Sequence, residues 1–356
     1  MTRVFVGMSG GVDSSVTAAL LKDQGYDVTG VYMKNWTEDL PGMRCPWAED
    51  VADAKRVAVQ LGIPFKVYDF QDEYRDKVVD YMIREYQAGR TPNPDVMCNQ
   101  EVKFALFLET ALADGADMIA TGHYARVGNG DWKMENGGDC KNRGRLFIPE
   151  DKVKDQTYFL YRVTGEALGK TLFPLGEYKK DQVREIAQKK GLATARKKDS
   201  QGICFVGQVG IRDFLSQYID AAPGDIVDKQ TDAVVGRHDG AVFYTLGQRH
   251  GLELGGGLPY YVVGKDMSSN TVYVSRDLGD KTMWRTRLEL GDVHVINEAP
   301  AQGEQLRVRL RHRGALHPCK FDGASLAMLE PERAVAAGQS AVLYRGDEVL
   351  GGGIVL

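Results

Sequence analysis

The sequence predicts an α/β protein, with an amino-terminal doubly wound parallel sheet followed by two small β-rich, barrel-like domains. Three observations predict this. An apolar run, Val4-Phe5-Val6, passes through a glycine turn into a helical pattern. Strand and helix patterns then alternate as far as Thr121. After about Gly210, short β runs separated by Gly, Asp and Asn replace them.

Taken in order, strands read at Val4–Val6, Val28–Met33, Phe65–Phe70 and Met118–Thr121. Helices read at Val12–Gln24, Ala48–Leu61, Glu73–Ala88 and Val102–Ala113. Gly62-Ile63-Pro64 stops the second helix. Asn129–Arg145, rich in Gly, Asn and Asp, reads as a hairpin or mobile loop. Helical periodicity returns at Lys179–Lys190, packed on the first domain. The later β runs are Ala241–Thr245, Tyr260–Gly264, Val272–Ser275, Leu306–Leu310, Ala341–Tyr344 and Gly353–Leu356. The expected division is 1–209 for the nucleotide domain, 210–285 for a central β domain and 286–356 for a terminal barrel.

A chain of 356 residues, 43% hydrophobic and 26% charged, suits a globular protein of several domains. Its net charge of −4 gives no bulk basic field, so any nucleic-acid contact must come from local patches. No apolar run is long enough to span a membrane. The first strand starts at Arg3 or Val4, which leaves no room for a signal peptide. Five widely spaced cysteines without a C-x-x-C pair point to a reducing cytoplasm and away from a zinc site.

The glycine turn is Ser9-Gly10-Gly11-Val12-Asp13-Ser14-Ser15. A strand–turn–helix of this kind aims backbone N–H groups and the positive end of a helix dipole at one spot. The glycines admit a phosphate close to the backbone, and the serines add hydroxyl donors. The lysine of the common P-loop is missing, and so is the dinucleotide G-x-G-x-x-G spacing. The S-G-G-x-D-S pattern resembles the loop of the ATP pyrophosphatases, which cut ATP between its α and β phosphates and adenylate a carbonyl oxygen.

Cys98 follows Thr91-Pro92-Asn93-Pro94-Asp95-Val96-Met97. Two prolines in four residues predict an extended loop that precedes a helix opening near Glu101. A thiol at a helix N-terminus is activated, and Asp95 is near enough in sequence to move a proton. Cys204 follows Arg196, Lys197 and Lys198, which favour a thiolate, and Gly202, which marks a turn. Either cysteine could equally be a small packed core residue. Cys45, Cys140 and Cys319 have no such context. Arg307, Arg309, Arg311 and Arg313 alternate with Val308, Leu310 and His312. On a strand, four guanidiniums would share one face, either for phosphate contact or simply solvated. His238, His250 and His294 read as structural or solvated.

Together, several segments resemble the tRNA-specific 2-thiouridylases from end to end. They are the glycine loop, Asn93-Pro94-Asp95 with Cys98-Asn99, Thr121-Gly122-His123-Tyr124, Lys154-Asp155-Gln156 and Asp199–Phe205. Tyr244–Leu252, Pro259–Val263 and Gly338–Val342 continue the match. The resemblance implies an adenine nucleotide alpha hydrolase-like domain followed by two β domains. It implies ATP on Gly7, Met8, Ser9, Gly10, Gly11, Val12, Asp13 and Ser14, with Met33 and Gly122 beside it and Mg²⁺ on the phosphates. It implies transfer of sulfur to C2 of the wobble uridine, with Cys98 as nucleophile and Cys204 as persulfide carrier. A disulfide between the two follows turnover, and Asp95 is the expected acid or base. Implied tRNA contacts are Asn93, Pro94, Asp95, His123, Lys154, Asp155, Gln156, Arg311, His312, Arg313 and Gln339. His312 stands where the family often has an aromatic ring.

The implied partners are tRNAs, expected to be the Lys, Glu and Gln acceptors, and an upstream persulfide donor, either a cysteine desulfurase or a sulfur-relay protein. Three other readings remain open on sequence alone. One is another ATP pyrophosphatase that activates a small-molecule carbonyl. The second is a non-catalytic RNA-binding protein. In the third, Asp95, Cys98 and Cys204 hold an iron–sulfur cluster.

Overall fold

The computed structural model of the protein describes residues 1–39, 45–129, 142–199, 210–255, 258–277 and 279–356. The chain opens with β1 (Arg3–Gly7), α1 (Val12–Asp23), β2 (Asp27–Lys34), α2 (Trp47–Leu61) and β3 (Phe65–Asp69). Two long helices, α3 over 71–87 and α4 over 94–113, precede β4 (Met118–Ala120). A hairpin of β5 (Arg126–Asn129) and β6 (Gly144–Phe147) follows, then β7 (Thr171–Leu172) and α5 (Lys180–Lys189).

The first sheet is parallel, in the order β3-β2-β1-β4-β7. Alternation along β1 explains why it is covered on both faces. Val4 and Val6 enter a core with Val16, Leu20, Val57 and Val183, on the side of α1, α2 and α5. Phe5 enters a second core with Val78, Val102 and Phe107 of α3 and α4. The carboxyl ends of the strands then share one edge, where open α/β sheets bind ligands.

Thr91–Asn99 is not the extended loop that its prolines predict. Helix α4 begins at Pro94, with Asn93 as the cap accepting the Val96 N–H at 3.4 Å. Proline at the first helical position has its φ preset and lacks only an N–H that would have no helical partner. Cys98 therefore lies within α4, not ahead of it. It opens a nine-residue π-helical stretch, Cys98–Leu106.

The central domain holds β8 (Gly224–Asp228), β9 (Val234–His238), β10 (Tyr261–Asp266) and β11 (Thr271–Ser275), ordered β10-β11-β8-β9. The expected strand at Ala241–Thr245 is instead a 3-10 turn, Ala241–Phe243, that buries Ala241 and Val242. A run this short has no periodicity to separate turn from strand.

The last domain comprises β12 (Trp284–Val295), β13 (Gln305–Arg309), β14 (His317–Phe321), β15 (Ser325–Arg333), β16 (Ser340–Arg345) and β17 (Glu348–Val355). They run in the order β12-β15-β14-β13-β16-β17, and pairing of β12 with β17 closes an antiparallel barrel. The β5–β6 hairpin joins the edge of β17, with Leu146 beside Val349 and Phe147 beside Glu348. Arg145 binds Glu348 through two guanidinium nitrogens. The first domain thus shares a sheet with the third. Among the described residues no helix is long and apolar enough to cross a membrane.

The alternating arginines do not make one exposed face. Strand β13 ends at Arg309, whose side chain is 10% exposed and pairs with Asp155 at 2.5 Å. Arg307 stays exposed and donates to the Gly346 carbonyl at 2.6 Å. Arg311 and Arg313 lie beyond the strand, Arg313 at φ 60°. A carboxylate far away in sequence has drawn the middle of the stripe inward.

Candidate functional site

The glycine loop joins β1 to α1 at the carboxyl edge of the sheet. Gly10 has φ 72°, and a Cβ there would run into the Asp50 backbone carbonyl. Ser9 and Ser14 fix the loop from within. The Ser9 N–H donates to Ser14 Oγ at 3.1 Å, and Ser14 Oγ donates to the Gly11 carbonyl at 3.2 Å. Ser15 Oγ donates to the same carbonyl at 2.7 Å and accepts from Thr194 Oγ1 at 2.9 Å. The first turn of α1 leaves its N–H groups without helical partners, aimed at the loop mouth.

Two other predicted loop residues are in place. Met33 lies against Gly7, its Cε 3.0 Å from where a Cβ would stand. Gly122, after β4, packs on the loop, where a Cβ would be 2.8 Å from the Ser14 nitrogen.

The sequence reading names Lys154, as a tRNA contact, but misses Lys180 and Arg184. Lys180, the first residue of α5, donates to both oxygens of Asp13 at 2.7 and 2.8 Å. Lys180 also meets Asp199 Oδ1 at 2.9 Å. Arg184 reaches that same oxygen at 2.6 Å, and Lys154 reaches Oδ2 at 3.0 Å. Three cations thus surround one carboxylate beside the loop. Burial alone would raise Asp199, but Lys180 and Lys154 hold it down at about 2. With an ordinary value of 3.8, this pairing stabilises the fold fully above about pH 4 and is lost as pH falls toward 2. Tyr124 donates to Asp13 Oδ1 at 3.0 Å, and burial, with Asp13 adjacent, keeps its phenol protonated. Lys180 and Arg184 leave only an i,i+4 spacing in the sequence, which ordinary solvated helices share.

One residue beyond Gly122 the chain turns toward α4, the helix that carries Cys98. His123 is buried among Phe104 and Phe173 and meets Thr121 Oγ1 through Nδ1 at 2.7 Å. Burial, helped by the nearby Lys103, holds His123 neutral. Burial also raises the Asp95 carboxyl, with Lys103 opposing it. Asp95 and Cys98 stand three residues apart on α4, which places them on one helix face. Cys98 is a thiol with 1% exposure. Asn99 beside it donates to the Phe159 carbonyl at 3.0 Å, and its buried Oδ1 has no partner among the described residues. Cys204 lies outside the described residues. Among the described residues no three His, Cys, Asp or Glu side chains form a metal-binding group.

The predicted tRNA contacts divide into two groups. His312 packs on Phe159 with ring centroids 4.4 Å apart, so it sits one residue contact from Asn99. Burial, with Arg313 and Arg309 nearby, lowers its basicity. Gly338 abuts Thr91, and the Thr91 N–H donates to the Ala337 carbonyl at 2.9 Å, so the segments that carry Gln339 and Asn93-Pro94-Asp95 adjoin where the first and third domains touch. Arg311 is exposed and donates to the Arg333 carbonyl at 2.7 Å. The other group faces inward. His123 is enclosed, and Gln156 accepts the Tyr124 N–H at 2.9 Å. Asp155 is 2% exposed and spent on Arg309 and Thr157. In this arrangement Asp155 positions its neighbours and presents no surface to a ligand.

The chain matches the family model of a tRNA methyl transferase HUP domain over residues 2–208. A tRNA methyl transferase PRC-barrel domain matches 212–276, and an aminomethyltransferase beta-barrel domain matches 285–355. The tRNA-specific 2-thiouridylase MnmA of Bacillus licheniformis is 47% identical over 363 residues, covering 99% of this chain and 95% of that protein. The tRNA-specific 2-thiouridylase MnmA 2 of Geobacillus kaustophilus is 48% identical over 364 residues, covering 99% and 94%. Among solved structures, an NMN synthetase from Francisella tularensis is similar at a TM-score of 0.34 and 16% identity, over 58% of this chain and 68% of that one. A likeness that remote carries no chemistry, whereas the end-to-end relatives do set the family: this chain belongs to the tRNA-specific 2-thiouridylases.

Proposed function

We propose that this protein is an ATP-dependent tRNA sulfurtransferase that replaces O2 of the wobble uridine with sulfur. The observation that carries the reading is the continuity between the glycine loop and the Cys98 thiol. Gly122 packs on Ser14, His123 follows it into the α4 core, and Lys103 of α4 acts on both His123 and Asp95. The glycine loop and helix α4, which carries Cys98, are therefore linked through Gly122, His123 and Phe104, and this linkage supports the reading.

The chemistry follows from the groups. O2 of uridine is a poor leaving group, and its adenylation by ATP makes AMP the leaving group instead. Cys204 carries a persulfide received from a donor. Its terminal sulfur attacks C2 and expels AMP, leaving the base joined to Cys204 by an S–S bond. The Cys98 thiolate attacks the Cys204 sulfur, breaking that bond, releasing 2-thiouridine and forming a Cys98–Cys204 disulfide. In the variant order, Cys98 attacks the persulfide first, and the released hydrosulfide attacks C2. An external dithiol then reduces the disulfide. The raised Asp95 carboxyl suits proton transfer beside Cys98. Magnesium would neutralise the departing pyrophosphate, and Asp13 is the loop carboxylate that would help to hold it once released from Lys180.

The base has to leave the anticodon stack to reach Cys98, which is 1% exposed. Asn93 and Asp95, Gln339 and the exposed Arg311 and Arg313 are the surfaces for the anticodon arm in this reading. Nucleoside analysis of tRNA incubated with the protein, ATP, Mg²⁺ and a persulfide donor tests the reading. The expected product is 2-thiouridine with stoichiometric AMP. The family models carry the words methyl transferase, and a wobble nucleoside that gains a methyl group instead would overturn the proposal.

Gly122→Ala tests the loop. The added methyl has no room against the Ser14 nitrogen, so ATP affinity should fall by about tenfold or more with the fold retained. Calorimetric titration with ATP reads this directly. Unchanged affinity would mean that ATP does not use the loop in this form.

A further inference from the structure

The loop has no lysine of its own, yet the structure supplies three cations at its side. Lys180 and Arg184 stand one turn apart on α5, and Lys154 comes from the segment before the 3-10 turn Thr157–Phe159. All three converge on Asp199 at 2.9, 2.6 and 3.0 Å. Lys180 bridges onward to Asp13 of the loop at 2.7 Å. Surface ion pairs are usually isolated and weak. This one is a three-to-one cluster, and its central lysine side chain is only 11% exposed.

The charge count is the informative point. Three cations face Asp13 and Asp199, and Asp151 accepts the backbone N–H groups of Lys180 and Lys154 at 2.9 and 3.2 Å, so the cluster is balanced while Asp199 is bound. Withdrawing Asp199 leaves one positive charge in excess, beside a loop whose N–H groups also favour anions. Arg184 is fixed for such a role by the Ala195 and Lys197 carbonyls at 3.2 and 3.1 Å, so its guanidinium does not depend on Asp199 for its position.

We propose that Lys154, Lys180 and Arg184 form the subsite for the β and γ phosphates and the departing pyrophosphate, and that Asp199 is the internal anion that holds this subsite until the polyphosphate displaces it. The proposal rests on the ATP reading above and gives Lys154, assigned to tRNA by resemblance, to the phosphates. The cations are preorganised by a carboxylate that competes with the ligand, so they need no rearrangement when the ligand arrives. Charge develops on the pyrophosphate as the α–β bond breaks, and fixed cations at that point stabilise the transition state more than bound ATP.

The sign of one substitution decides it. Asp199→Asn keeps the shape of the side chain and removes the competing charge. Titration of the full-length protein with inorganic pyrophosphate and Mg²⁺, without tRNA, should show pyrophosphate binding about tenfold tighter than wild type. Lys180→Met and Arg184→Met should each bind it about tenfold more weakly or worse. Weaker or unchanged binding in Asp199→Asn overturns the role of Asp199, because a carboxylate that supported the ligand would be missed. Wild-type binding in both Lys180→Met and Arg184→Met overturns the subsite while leaving the function untouched. Failure of the wild type to bind either ATP or pyrophosphate overturns both. The full set of predicted affinities with no thiolated tRNA would overturn the function and keep the polyphosphate subsite.

Discussion

In a single turnover without external reductant, Cys98→Ser is expected to stop 2-thiouridine release, with a loss of roughly 10³-fold or more, while ATP still binds. A serine hydroxyl cannot attack a sulfur–sulfur bond at neutral pH as a thiolate does. The position is also unusual in its surroundings. Cys98 is 1% exposed, it opens a π-helical stretch of α4, and Asp95 lies one turn before it. Wide turns of this type often mark functional sites. Cys204→Ser should give an equal loss, and the two variants should differ in what accumulates. With Cys98 gone, the base stays linked to Cys204 by an S–S bond that reductant releases. With Cys204 gone, no persulfide forms on the protein. Full thiolation by either variant, with the donor supplied, would sink the two-cysteine mechanism. Retained ATP binding, measured by titration, separates lost chemistry from lost folding.

Much of the scaffold is legible in the sequence because its signals are local. The apolar run Val4–Val6, the glycines after it and the helix from Val12 are neighbours, and the strand–turn–helix follows from them. Met33 and Gly122, 89 residues apart, both lie against the loop segment, and only family resemblance groups them in the sequence. What is not legible depends on contacts between distant segments. Lys180 meets Asp13 across 167 positions, and nothing in either segment announces the other. Arg309 looks like one of four equivalent strand arginines until Asp155, 154 positions away, neutralises it. Pro94 fails differently. Its local signal is real but ambiguous, because proline both breaks a helix interior and starts a helix. The Asn93 cap decides between the two, and its hydrogen bond appears only once the chain is folded. The sequence leaves Asn129–Arg145 as a hairpin or a mobile loop; the pairing of β5 with β6 and their union with β17 of the terminal barrel appear only in the fold.

The second large effect is expected at Arg309. Its guanidinium, 10% exposed, meets a carboxylate of Asp155 that is 3% exposed, at 2.5 Å. Asp155 also accepts from the Thr157 hydroxyl at 2.6 Å, and Thr157 meets the Tyr344 hydroxyl at 3.1 Å. The pair therefore ties the 154–157 segment of the first domain to β13 and β16 of the barrel. Breaking a buried pair by removing one partner leaves the other charge desolvated and unpaired, which costs about 3–5 kcal/mol. Arg309→Met should lower stability by that amount, read as a fall in the denaturant midpoint. Asp155→Leu combined with Arg309→Met should recover much of the loss, because an apolar contact of similar volume removes both orphaned charges. An unchanged midpoint in Arg309→Met would show that the pair does not hold the domains together. The consequence for function follows from the neighbours. Lys154 precedes Asp155 at the cation cluster, and Arg311 and His312 follow Arg309 beside Phe159. Arg309→Met should therefore raise the KM for tRNA even at temperatures where the protein stays folded, and the double apolar variant should restore stability more fully than it restores KM. Equal recovery of both would mean that the pair contributes only to folding.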